Sequence, residues 1–68
     1  MRTDEARLRY TYYVVASNGN VSHSVIGRLV SQTVSFKGVR YWAFQGHVFT
    51  HLVDPDDIEE IEEVSPRW

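Results

Sequence analysis

No cysteine occurs among the 68 residues. Its absence excludes a disulfide framework, a thiolate metal site and a cysteine nucleophile. Long apolar runs are missing too. Stretches such as Val14-Val15-Ala16 fall far short of the roughly 20 residues that a spanning helix needs, so no membrane partner is expected. Arg2-Thr3-Asp4-Glu5 follows Met1 without the apolar stretch of a secretory signal, and the expectation is a cytoplasmic protein. Gly19, Gly27, Gly38 and Gly46 are dispersed along the chain. A phosphate-cradling loop needs them gathered in front of a helix. Neither an internal repeat nor a low-complexity linker divides the chain, so residues 1–68 are read as one small domain, with 1–7 flexible and 65–68 a tail.

A domain of this size buries only about 60% of its unfolded surface, and its core is marginal. Apolar residues make up 43% of it and charged residues 24%, which suits a globule rather than a disordered chain. The net charge of −2 is unevenly laid out. Residues 1–53 carry six cations against two acids, and residues 54–68 carry seven acids against one cation. A basic body joined to an acidic segment has two surfaces of opposite preference.

Residues 8–16 alternate. Leu8, Tyr10, Tyr12, Val14 and Ala16 share one face; Arg9, Thr11, Tyr13 and Val15 share the other. That is the pattern of a half-buried strand. Ser17-Asn18-Gly19-Asn20 supplies residues that tolerate a tight hairpin turn. A long second strand follows over 21–36. Its apolar parity changes near Gly27, which predicts a bulge or bend at that glycine. Lys37-Gly38 reads as a two-residue loop, residues 39–44 as a third strand, Gln45-Gly46 as another loop and residues 47–53 as a fourth strand. Loops this short join antiparallel neighbours.

Asp54-Pro55-Asp56-Asp57 carries the signals of a helix start. Ile58, Ile61 and Val64 then recur every third residue, with glutamates between them. This spacing predicts a helix of about ten residues. The rival is one helical turn at Pro55–Asp57 and a short closing strand over 58–64, which completes a five-stranded barrel. The fold class is thus mainly β: a small antiparallel meander of four to five strands, curled or barrel-like, with a short C-terminal helix or helical turn. This arrangement resembles the architecture of small SH3-like or Sm-like barrels, although no family motif accompanies it.

Catalytic chemistry finds little support. His47 and His51 are four apart, but on a strand that spacing is roughly 13 Å and one ion cannot join them. Ser22 and His23 are adjacent and point to opposite faces of a strand. No enzyme activity, metal or cofactor is expected. The richest segment is Lys37-Gly38-Val39-Arg40-Tyr41-Trp42-Ala43-Phe44, in which cations and aromatics interleave. If Trp42 and Phe44 are core, Tyr41 is the outward aromatic, with Tyr13 as its companion from the first strand. The candidate binding residues are therefore Arg28, Lys37, Arg40, Tyr41 and Tyr13. Aromatics and arginine mark protein-binding hot spots. Interleaved with cations they also mark single-strand nucleic-acid readers. The acidic run is a second candidate surface, through Asp57, Glu59, Glu60, Glu62 and Glu63. It imitates a phosphate run and suits docking on a basic protein, as an inhibitor of a larger partner would. A protein partner is the first expectation and nucleic acid the alternative. A small β domain also gains stability by forming a homo-oligomer.

Overall fold

The computed structural model describes residues 3–64. Five strands form one antiparallel sheet in the order β4-β3-β2-β1-β5. They are β1 (Thr11–Asn18), β2 (Val21–Phe36), β3 (Val39–Gln45), β4 (Thr50–Val53) and β5 (Ile58–Glu63). Short 3-10 turns occupy Thr3–Glu5 and Pro55–Asp57. Strands 1–4 are the expected meander. β5 then returns to pair with β1 at the far side of the sheet.

That return forces the sheet to curl. Flat, five strands would hold β4 and β5 about 19 Å apart. Only residues 54–57 join them, and three of these lie in a 3-10 turn, which rises about 2 Å per residue. The core confirms the curl. It is built from one face of every strand: Tyr12, Val14 and Ala16 of β1, Val25 and Leu29 of β2, Phe44 of β3, Val53 of β4 and Ile61 of β5. Trp42 packs against this cluster, its ring centroid 6.4 Å from that of Phe44. The expected choice of Trp42 and Phe44 as the inward face of β3 agrees with this. β4 and β5 do not pair, so the sheet stays open rather than closing into a barrel.

Two hairpin turns sit where local chemistry places them. Asn18 pairs with Val21 across a Gly19-Asn20 loop in which only Gly19 has positive φ, the type II′ pattern. Phe36 pairs with Val39 across Lys37-Gly38, where both residues have positive φ, the type I′ pattern.

Four expectations need correction. β1 begins at Thr11, not at residue 8. Arg9 adopts a left-handed φ of 76°, which breaks the strand. It is held there because its N–H donates to the Leu29 carbonyl at 2.7 Å and its own carbonyl accepts from Arg28 Nε at 3.2 Å. β4 begins at Thr50, not at residue 47, because residues 46–49 form a loop closed by Gly46 N–H on the Phe49 carbonyl at 2.8 Å.

The bend of β2 does not lie at Gly27. Val25, Gly27 and Leu29 are all buried, so inward parity runs unbroken through the glycine. The register shifts between Leu29 and Ser31 and again between Ser31 and Val34. Ser31 Oγ accepts the Thr33 N–H within that bulged stretch. Gly27 serves space instead: a Cβ there would sit 3.0 Å from Phe44 Cβ and 3.1 Å from the Gln45 carbonyl oxygen.

The helix over 54–64 is replaced by the rival form, a 3-10 turn and a strand. Asp54 does cap the turn, accepting the Asp56 N–H at 2.9 Å, and Pro55 stands at its start. The turn ends at Asp57. The threefold apolar spacing has another cause. Ile58 pairs with Ala16 and Glu60 with Val15, leaving Glu59 as the extra residue of a β-bulge. The bulge resets parity, so Ile58 and Ile61 both face inward although they are three apart. Past the bulge alternation resumes, and Val64 is exposed.

The N-terminal segment closes the other end. Tyr12 is fully buried, and its hydroxyl oxygen accepts the Arg7 N–H at 2.7 Å. Ala6 packs on the core. Tyr12→Phe removes that acceptor and is expected to lower stability by about 1 kcal/mol, read as a lower urea midpoint. Residues 1–2 and the expected tail 65–68 lie outside the described residues.

Candidate functional site

The strand pairings end unequally. β1 covers β2 only from Val21 to Arg28, and β4 covers β3 only from Trp42 to Gln45. The far half of β2 and the start of β3 therefore pair only with each other. Residues 32–41 form a two-stranded arm projecting from the curled body. A two-stranded ribbon is marginal alone in water, so its side-chain chemistry decides its use.

The arm is two-sided. Val34 pairs with Tyr41 and Phe36 with Val39, and directly opposed residues share a face. These four make one apolar face. Phe36 is 55% exposed and Val39 39%. Ser35 and Arg40 pair on the reverse side. On β3 the reverse side continues inward through Trp42 to Phe44. The apolar side is thus continuous with the outer surface of the sheet, where Ala43 pairs with Leu52. Lys37 stands at the tip with its Nζ 5.4 Å from the centroid of the Phe36 ring, a cation–π contact.

Lys37 is held at φ 52°, where a lysine is strained and an asparagine or glycine is not. Lys37→Asn is expected to raise stability by up to about 1 kcal/mol, because relief of the left-handed penalty outweighs the weak cation–π attraction to Phe36. Thermal unfolding followed by circular dichroism measures the gain.

The sequence-derived binding set divides. Lys37, Arg40 and Tyr41 meet on the arm. Arg28 pairs with Gln45, five positions along β3 from Arg40, or roughly 17 Å, and its Nε is engaged by the Arg9 carbonyl. Tyr13 pairs with Ile26, eight positions along β2 from the partner of Tyr41. Tyr13 and Tyr41 thus belong to different patches. Around Tyr13 the outer surface has its own order. One row runs Glu62, Tyr13, Ile26 across β5, β1 and β2, and the next runs Glu60, Val15, Ser24. Ile26 is 61% exposed. This is an apolar patch with glutamates along its β5 margin.

The acidic set divides in the same way. Asp57 accepts from Asn18 Nδ2 at 3.3 Å and Glu59 accepts from Ser17 Oγ, so both brace the end of β1. Glu60 and Glu62 edge the outer patch. Glu63 pairs opposite Tyr12 and lines a shallow depression of about 700 Å³ with Asp4, Glu5, Ala6, Arg7 and Tyr10. That depression mixes both charges. Among the described residues no three His, Asp or Glu side chains gather to hold a metal ion. None of the helical segments there is long and apolar enough to cross a membrane.

Phe36, Val39 and Ile26 are exposed and Val15 is half-buried, and residue type alone singles out none of them. The alternation Val34-x-Phe36 and Val39-x-Tyr41 about the Lys37-Gly38 loop is the signal in the sequence that marks the arm. No protein-family model matches the chain, and comparison with curated proteins and with solved structures finds no match to either.

Proposed function

We propose that the protein is a small non-enzymatic protein-interaction module, a regulator or inhibitor of a larger assembly, working in the cytoplasm on an SH3-like curled sheet. The observation that carries this reading is the arm of residues 32–41, with Val34, Phe36, Val39 and Tyr41 on one face, Lys37 at its tip and Arg40 on the reverse side. An apolar face on a projecting ribbon gains free energy only by being covered. Its mixture of aromatic, aliphatic and cationic groups fits an apolar protein surface with an acidic rim. The acidic β5 is a second surface on the same scaffold.

The same arm carries Lys37 at the tip of the face that holds Phe36 and Tyr41, and this favours single-stranded nucleic acid as the other reading. The glutamates of β5 oppose it, since they weaken the field that draws phosphates. A titration of Trp emission with single-stranded and double-stranded oligonucleotides at low and high salt separates the two. The protein-binding reading expects no saturable change. Micromolar binding that falls steeply with salt, and is abolished on replacing Lys37 and Arg40 by Ala, overturns it in favour of nucleic acid.

A further inference from the structure

Two apolar patches lie on the outer surface of one sheet. The arm offers Val34, Phe36, Val39 and Tyr41 with Lys37 at its tip, while Arg40 stands on the reverse side. The body offers Tyr13, Val15 and Ile26 with Glu60 and Glu62 along one side. Arg28 bounds that patch away from β5, with its Nε held by Arg9. The two are matched in apolar character, and the Lys37 cation at the tip of the arm is opposite in sign to the glutamates along β5. Within one molecule they face outward from different ends of a curled sheet and cannot meet.

We infer that the arm of one copy docks on the β5-β1-β2 outer patch of a second copy, the apolar faces meeting and Lys37 lying against Glu60 and Glu62 of the neighbour. This rests on the reading of the arm as a protein-docking element and names its partner. A second copy is favoured because one chain carries both halves of a complementary pair. A glutamate margin also rules out the alternative symmetric pairing of two β5 edges, where like charges would oppose. Where each of two copies lays its arm on the other's patch, assembly closes as a two-fold dimer; where arm and patch engage different neighbours, it continues to a ring or a chain.

Sedimentation velocity from micromolar to millimolar protein, at low and high salt, tests this. Wild type is expected to grow in mass with concentration, to a dimer or beyond, and to dissociate as salt screens the charges. The single variant Lys37→Glu and the double variant Glu60→Lys, Glu62→Lys are each expected to lose at least about tenfold in association. Both should keep the wild-type far-ultraviolet circular dichroism. Mixed together, they restore complementary junctions and reassemble. Wild type monomeric throughout, either variant assembling like wild type, or a mixture that stays monomeric overturns the inference. A monomeric wild type leaves the arm's role toward another protein to be judged by cross-linking.

Discussion

Phe44→Ala is expected to leave the chain unfolded. Phe44 is 0% exposed and belongs to the one cluster to which all five strands contribute. Truncating a buried phenylalanine costs about 3–5 kcal/mol. A chain of 68 residues has on the order of 3–10 kcal/mol of stability in total. The loss therefore consumes most or all of it. Trp42 also loses the ring it packs against. Phe36→Ala removes the same side chain from the arm and is expected to cost less than about 1 kcal/mol, a cation–π attraction and little burial. Urea unfolding of the two variants side by side measures the difference. Equal effects would mean that the arm is packed into the body.

Gly27→Val is the second large effect. Gly27 has no left-handed φ, so backbone freedom is not its reason. Its missing side chain lets β3 approach. The first added carbon already lies 3.0 Å from Phe44 Cβ and 3.1 Å from the Gln45 carbonyl oxygen, and valine adds two methyl groups beyond it. The Gln45 backbone is in the ladder with β2 and β4 and has little room to give. Overpacking of this kind costs about 1–3 kcal/mol, and the strand preference of valine returns less than about 1. The expected result is a net loss of about 2 kcal/mol, with Gly27→Ala losing less. A valine variant as stable as wild type would contradict the close approach of β2 and β3.

Both variants bear on how far the fold can be read from the chain. The hairpins are legible because Asn18-Gly19-Asn20 and Lys37-Gly38 carry their turn chemistry locally. The inward face of β3 is legible from parity alone. Three features are not, and each has a long-range cause. Ile58, Ile61 and Val64 imitate helical spacing because Glu59 bulges, and a bulge is defined by the partner strand. Gly27 has the look of a bend site, yet the register slips only where β1 has stopped accompanying β2. Residue 9 leaves the strand through hydrogen bonding to Leu29, distant in sequence.

The candidate site is legible in composition and not in placement. Lys37, Arg40 and Tyr41 are marked by interleaving and do come together. Arg28 and Tyr13 join them by residue type, and the pairing of β2 carries both elsewhere. The arm shows in the sequence as a hairpin, through the alternation about Lys37-Gly38, but not as an arm. It exists because β1 and β4 are shorter than the strands they flank, and only the completed sheet shows which stretch is left with a single partner.

The most direct test of the arm as a protein-docking element is photo-cross-linking in cells. A cross-linking side chain is placed at Val39, on the apolar face of the arm, and separately at Asn20, on the β1–β2 turn of the body. Protein adducts from Val39 and none from Asn20 are expected, with adducts to the chain itself identifying a second copy as the occupant. Adducts to nucleic acid from Val39, or a Val39 yield no greater than that of Asn20, would contradict the account.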